Sequence, residues 1–237
     1  FGLFFTLNGG LNWTQLKSGL PTVAVRDIEI QRRENDLVLA TFGRGFYVLD
    51  DYSPLRELTD EILEGESHIF SAKDGLVVVE RRALGYNPPG FLGSSYYMAD
   101  NPKSGATITY WLKEKPKTIK ELRKENEKEA ENNSYPSFDE IRAEDQEEKP
   151  YLIFVISGPD GKELRRYTKD YSSGLNRFNW DGRIANITYI NTGDEPITNN
   201  GGAMYAPSGS YQIKILKNAN GEVNHLAGPM EFNLMHL

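Results

Sequence analysis

The sequence contains no cysteine, which excludes disulfide bonds, cysteine-ligated zinc and thiol catalysis. No stretch approaches the roughly 20 consecutive apolar residues that a membrane-spanning helix requires. The three histidines, His68, His225 and His236, are far apart and show no zinc-binding spacing. The lack of cysteine is compatible with a bacterial envelope or secreted protein as well as with the cytosol.

The basic segments of the chain are balanced by nearby acidic residues, and the formal net charge is −7. Nucleic-acid binding requires a basic face that neutralises phosphates. An acidic surface also argues against docking on anionic lipid. We therefore expect neither nucleic acid among the partners nor a membrane-spanning segment in this chain.

What the sequence does contain indicates a mainly β fold. Its 22 glycines and 12 prolines are spread along the chain as turn punctuation, as in proteins with many short strands. Four or five strands are expected within residues 1–50, which is the density of a propeller blade. Ser53 and Pro54 then predict the start of a short helix that ends at Gly65, with Leu55, Leu58 and Ile62 on one stripe.

Residues 113–149 form a charged segment with 9 Lys/Arg and 12 Asp/Glu. Thr118 with Glu121, and Ser137 with Glu140, have the spacing of capping boxes, so we expect two helices inserted between two strands. Further ion pairs, Glu121–Lys124 and Glu125–Lys128, are expected along one helix face. Such a segment is typical of a solvated surface insertion, and recruitment of a basic partner is the alternative.

The stretch 6–13 contains the most specific local motif, carried by Thr6, Asn8, Gly10 and Trp13. It resembles the Asp-box hairpin of sialidase-type and sortilin-type β-propellers, with Asn8 where aspartate is usual. In that motif the short polar side chain bonds the turn backbone, the glycine supplies an unusual φ, and the tryptophan packs on the blade. The resemblance therefore implies a structural role for these residues.

The segment 25–51 resembles the last blade of bacterial proteins with sortilin-like, or BNR, propeller repeats, which are common in Bacteroidetes. Gly43, Arg44 and Gly45 are expected to form its tight turn. Arg44 could instead face a central funnel and hold an anion. A sialidase requires an arginine triad with a Tyr/Glu nucleophilic pair and an acid from several blades, and this chain shows no such constellation.

The segments 174–183 and 206–211 resemble a FlgD-type immunoglobulin-like domain. The resemblance implies that Trp180 lies in the core, that Asp181 caps a turn, that Gly209 allows a bend and that Tyr211 packs inward. The loop 184–204, with Asp194 and Glu195, could bind Ca²⁺ through oxygen ligands, although it matches no EF-hand pattern. Otherwise no cofactor or metal is expected. Three glycosylation sequons begin at Asn12, Asn132 and Asn186.

We therefore expect three regions: the last propeller strands (1–52), a helix with an irregular linker (53–104) and an Ig-like antiparallel β-sandwich (105–237) carrying the helical insertion 113–149. The resemblance implies an extracytoplasmic, non-catalytic binding or scaffolding part of a larger protein. Its expected partners are the propeller strands that precede Phe1 and another envelope protein or a glycan. The alternative is an accessory region of a sialidase-type enzyme whose active site lies upstream.

Overall fold

A computed structural model describes residues 1–17, 19–78, 101–129, 135–184, 204–219 and 221–237. The fold is mainly β, as the sequence predicts. The chain divides into two compact units, Phe1–Gly65 and Glu66–Leu237. The division falls at the glycine that was expected to stop the first helix.

The first unit contains a two-stranded and a three-stranded antiparallel sheet and two short helices. In chain order its elements are β1 (Leu3–Phe5), β2 (Thr14–Leu16), β3 (Val25–Gln31), β4 (Asp36–Thr41), β5 (Phe46–Leu49), α1 (Ser53–Glu57) and α2 (Asp60–Glu64). Strand β1 pairs with β2, and the second sheet has the order β3-β4-β5.

The helix predicted between Ser53 and Gly65 is divided in two. Pro54 lies in the first turn of α1, which ends where Leu58 adopts extended angles. The hydroxyl of Thr59 then accepts a hydrogen bond from the Ile62 N–H (3.3 Å) and starts α2. A second N-cap inside the periodic stretch therefore interrupts the helix.

The second unit is built from two sheets with strand orders β10-β9-β12-β13-β7 and β11-β8-β6. All pairs are antiparallel except β13 with β7. The strands are β6 (Ser67–Ile69), β7 (Gly75–Val77), β8 (Ala106–Leu112), β9 (Tyr151–Ser157), β10 (Glu163–Asp170), β11 (Gly174–Trp180), β12 (Gly209–Ala219) and β13 (Glu222–His236). The short strands β6 and β7, which lie inside the predicted linker 53–104, belong to these sheets.

Aromatic contacts show that the two sheets face each other across a shared core. Phe154 of β9 stacks on Phe178 of β11, with ring centroids 4.3 Å apart. Trp180 of β11 is fully buried and meets the rings of Tyr211 (5.1 Å) and Phe232 (5.8 Å) edge to face. The second unit is therefore an antiparallel β-sandwich, in which rings of one sheet fill the spaces between rings of the other.

The charged insertion forms the two expected helices, α3 (Ile119–Glu129) and α4 (Phe138–Gln146). Both capping boxes are confirmed, since Thr118 and Ser137 exchange hydrogen bonds with Glu121 and Glu140. The expected pairs along α3 are replaced by pairs to lysines before the helix. Glu121 faces Lys115 (3.8 Å), and Glu125 binds Lys117 (2.5 Å).

Charged contacts link α3 to α4. The Arg123 guanidinium of α3 donates to both carboxylate oxygens of Glu144 on α4 and to Glu127. The Ile119 N–H at the start of α3 donates to the carboxylate of Glu147, which caps the end of α4 (2.8 and 3.0 Å). The Glu144 side chain is only 4% exposed. The helix pair is thus joined by a bidentate arginine–carboxylate contact.

Protonation of Glu144 should loosen the helix pair. Hydrogen bonds from Arg123 hold the pKa of Glu144 below its usual range. A carboxyl group with a lowered folded pKa stabilises the fold above its unfolded pKa, about 4.3, and loses that effect as the pH falls through the folded value. We expect hydrogen-exchange protection of α3 and α4 to persist down to about pH 5 and to fall below about pH 4.

Two variants check this assignment. Glu144→Gln should reduce protection already at neutral pH and flatten the pH profile. Asp139→Asn, at a position whose side chain is 96% exposed, should leave the profile unchanged. An unaltered pH profile in Glu144→Gln would contradict the assignment.

Loss of the Trp180 side chain should destabilise the sandwich strongly. Trp180→Ala removes a fully buried ring that contacts both sheets, and such truncations typically cost about 3–5 kcal/mol. The control Leu175→Ala, on a residue of β11 that is 39% exposed, should cost less than half as much. Urea denaturation followed by tryptophan fluorescence and circular dichroism measures both; equal losses would contradict the role of Trp180.

Candidate interaction surface

The Asp-box-like hairpin has the hydrogen bonds that its sequence predicts. The Asn8 carboxamide oxygen accepts from the Asn12 N–H (2.9 Å) and from the Thr6 hydroxyl (3.0 Å). The Thr6 hydroxyl oxygen accepts from the Gly10 N–H (3.0 Å). Gly10 has a φ of 98°, a value that favours glycine. Asn8 thus serves as the acceptor that closes the loop between β1 and β2.

Trp13 is less enclosed than the motif implies. Its side chain is 62% exposed, and a Cβ atom placed on Gly10 would lie 3.9 Å from the indole ring. The ring therefore lies over the hairpin loop, with much of its surface open to solvent.

The turn between β4 and β5 needs its two glycines. Gly43 and Gly45 have φ values of 76° and 72°, and the Thr41 N–H donates to the Gly45 carbonyl (3.1 Å). Both angles favour residues without a Cβ. Arg44 between them is exposed on the turn. The structure thus gives the glycines the predicted mechanical role.

Other parts of the first unit cover one face of the β3-β4-β5 sheet at β4, while Ile28 and Ile30 of β3 on that face stay 47% and 39% exposed. Leu39 of β4 points to this face and is 2% exposed. A cleft of about 460 Å³ lies on the same side, lined by Ile28 and Leu37 from the sheet, by residues of the β1–β2 hairpin and by Tyr52, Leu55, Arg56 and Leu58. Leu3 and Leu58 are also buried. These apolar contacts supply the core of the first unit.

The opposite face of the same sheet carries four apolar residues, of which Phe46 and Val48 are exposed and Val38 and Ala40 are half-buried. Directly opposed residues of an antiparallel pair share a face, and the register pairs Val38 with Val48 and Ala40 with Phe46. Phe46 is 77% exposed and Val48 is 56% exposed. We call these four residues the open face; Asp27 and Glu29 of β3 border it. Contiguous exposed apolar patches are common at interaction surfaces, so the open face is the candidate interaction surface of the first unit.

The motif residues of the second unit lie inside or beside its core. The Trp180 indole N–H donates to the Arg183 carbonyl (2.9 Å), and the Asp181 carboxylate accepts from the Arg183 N–H (3.1 Å). Tyr211 is 4% exposed, and its hydroxyl donates to the Pro207 carbonyl (2.6 Å). Trp180, Asp181 and Tyr211 therefore have the structural roles that the resemblance implies.

Gly209 differs from the expectation. It is the first residue of β12, it has no left-handed φ, and a Cβ atom there would meet no other atom within 4 Å. A residue with a side chain fits this position. The chain's entry into β12 therefore does not depend on a glycine.

No group of three or more histidine, aspartate or glutamate side chains with metal-site spacing occurs within the parts of the chain described above. The proposed Ca²⁺ loop, with Asp194 and Glu195, lies almost wholly outside the described residues, as do the sequons at Asn132 and Asn186. Among the helices of the described ranges, none has the length and apolar character needed to span a bilayer.

Comparison of the chain with protein-family models, with curated proteins and with solved structures finds no match. The open face is the surface that sequence reasoning did not single out. In the sequence this surface corresponds to the run Phe46-Tyr47-Val48-Leu49. Because every position of this run is apolar or aromatic, no alternation shows which face of the strand is buried.

Removal of the Asn8 acceptor should destabilise the first unit. Asn8→Ala leaves the Asn12 N–H and the Thr6 hydroxyl without their partner, which we expect to cost about 1 kcal/mol. Asn8→Asp retains the acceptor oxygen and should preserve stability. Limited proteolysis within residues 1–65 reports this unit separately. Equal protection of the two variants would contradict the role of the Asn8 side chain.

Proposed function

We propose that this protein is a non-catalytic binding and scaffolding part of an extracytoplasmic β-propeller protein, and that its first unit makes the contact with the partner. The open face carries the proposal. It exposes Phe46 and Val48 beside Val38 and Ala40, on a sheet whose other side already packs Leu39 into the core of the first unit. Burying such side chains contributes about 1.5–3 kcal/mol each, so a partner surface would gain substantial affinity from them.

A protein surface suits the open face better than a glycan does. Sugar recognition uses hydrogen-bonding groups beside an aromatic ring, whereas the cross-strand partner and the nearest neighbours of Phe46 on this face are Ala40, Val38 and Val48, and the carboxylates Asp27 and Glu29 lie on the far side of β4. Apolar sheet faces pack against other sheets or helices about 10 Å away. We therefore propose a protein partner that presents an apolar face, either the remaining propeller strands of the same protein or another envelope protein.

The structural roles of the motif residues support a scaffold. Asn8, Trp180, Asp181 and Tyr211 direct their polar atoms to backbone groups of their own unit. Gly43 and Gly45 serve the turn that precedes β5. The residues of the sequence motifs thus stabilise turns and strands, as expected of a binding module.

Site-specific photo-cross-linking tests the proposed function. A photoreactive residue at position 46 should capture a defined protein from an envelope extract, whereas the same residue at the exposed position 168 of β10 should not. Phe46→Ser with Val48→Ser should weaken binding of that protein by about tenfold or more, because each lost burial is worth at least a factor of ten.

The control variant Arg33→Ser changes an exposed residue in the β3–β4 connection and should bind normally. Capture that is equal at positions 46 and 168, or that persists in the double serine variant, would contradict a docking role for the open face. A glycan array probed with the same variants would detect the alternative ligand class.

A further inference from the structure

We propose that Asn8 is a modification site, at which the folded loop between β1 and β2 promotes spontaneous deamidation of the side chain. Asn8 is followed by Gly9. An asparagine side chain loses its amide when the next backbone nitrogen attacks its carbonyl carbon, and a glycine at that next position has no Cβ to obstruct the attack. This inference concerns the hairpin loop and does not depend on the proposed role of the open face.

The backbone nitrogen of Gly9 is accessible to the reaction. Gly9 is exposed, its φ is 68°, and a Cβ atom placed on it would meet no other atom within 4 Å. Within the described ranges of the chain, no group accepts a hydrogen bond from the Gly9 N–H. This N–H can therefore lose its proton and approach the Asn8 side chain without the loss of a protein hydrogen bond.

Two donors hold the carbonyl oxygen on which negative charge develops during the attack. The Asn12 N–H (2.9 Å) and the Thr6 hydroxyl (3.0 Å) both donate to Asn8 Oδ1. Fixed donors at such an oxygen stabilise the tetrahedral intermediate. The Asn8 amide nitrogen, which must leave, donates to no group among the described residues. The loop thus fixes the oxygen and leaves the departing nitrogen free.

The reaction balances with water as the co-reactant. The Gly9 nitrogen forms a bond to Asn8 Cγ, the bond from Cγ to Nδ2 breaks, and the amide nitrogen leaves as ammonia with the proton of the Gly9 N–H. The product is a cyclic imide, formed within one chain and therefore without the entropic cost of bringing two molecules together. Water opens the imide at the side-chain carbonyl to give aspartate, or at the main-chain carbonyl to give isoaspartate.

The two products differ in their effect on the hairpin. Aspartate keeps an oxygen that can accept from the Asn12 N–H, and it adds one negative charge to a chain whose formal net charge is −7. Isoaspartate lengthens the main chain by one carbon between Thr6 and Gly10, whose hydroxyl oxygen and N–H close the loop at 3.0 Å. We therefore expect the loop to stay closed around aspartate and to open around isoaspartate.

Other asparagines of the chain serve as internal references. Asn12 lies in the same loop but precedes Trp13, whose side chain obstructs the attacking nitrogen, so Asn12 should keep its amide. Asn200 and Asn220 also precede glycine and lie outside the described residues. Peptide mapping by mass spectrometry assigns the loss of ammonia and gain of water to each position separately.

The full chain is incubated at mildly alkaline pH, both folded and in concentrated urea, and mapped over time. Asn8 should deamidate in the folded chain at least as fast as in urea, while Asn12 keeps its amide. Thr6→Val removes the hydroxyl donor and should slow the folded reaction by about tenfold, with no change in urea. Gly9→Ala places a Cβ beside the attacking nitrogen and should slow the reaction in both conditions.

Two threonine variants are the matched controls. Thr6→Ser retains the hydroxyl donor, and Thr168→Val makes the same change at an exposed position of β10, so both should keep the wild-type rate. Limited proteolysis within residues 1–65 checks that the first unit of each variant is folded. Slower loss of the Asn8 amide in the folded wild type than in urea, or an undiminished folded rate in Thr6→Val, would overturn the proposal.

Discussion

The packing of Trp180 between the two sheets is the contact on which the second unit depends. Its ring meets Tyr211 and Phe232 of the opposite sheet, and its N–H is satisfied by the Arg183 carbonyl. The backbone is equally constrained. A Cβ atom on Gly105 would lie 1.9 Å from the Trp180 carbonyl oxygen, so the chain leading into β8 passes β11 at a distance that only glycine permits. Ring and backbone thus fix the same end of the sandwich.

The edge strands of the two units differ in whether side chains cover them. In the sandwich, the Lys169 ammonium of β10 donates to the Arg177 carbonyl of β11 (2.8 Å), and Arg165 donates to the Arg183 carbonyl (3.4 Å). Burial, with a contribution from Lys103, lowers the pKa of Lys169. The side chains of Lys169 and Arg165 therefore bridge the edge strand β10 to the opposite sheet and to the segment that follows β11. In the first unit, by contrast, β5 has apolar residues on both faces of an edge strand, which leaves it suited to pairing.

The sequence predicts the features that depend on interactions between residues close together in the chain. The Asn8 loop, the glycines at 43 and 45 and the capping box at Ser137 each depend on a few neighbouring residues, and all form as expected. Features that join distant segments were not predictable. Strand β6 has three residues, and the Ser67 hydroxyl bonds the Leu226 carbonyl 159 positions away. The Arg123–Glu144 contact likewise requires two helices to lie side by side. The open face emerges only from the register between β4 and β5.

The difference in packing between the units bears on how binding and folding are connected. The buried side chains of the first unit include Leu3, Leu39 and Leu58, whereas the sandwich core is a large aromatic and aliphatic cluster centred on Trp180 and Phe154. A sheet that buries one face gains only part of the stabilisation open to it. A partner on the open face would bury more apolar surface and stabilise the first unit by mass action. Binding there would complete a core, while the sandwich remains folded by its own contacts.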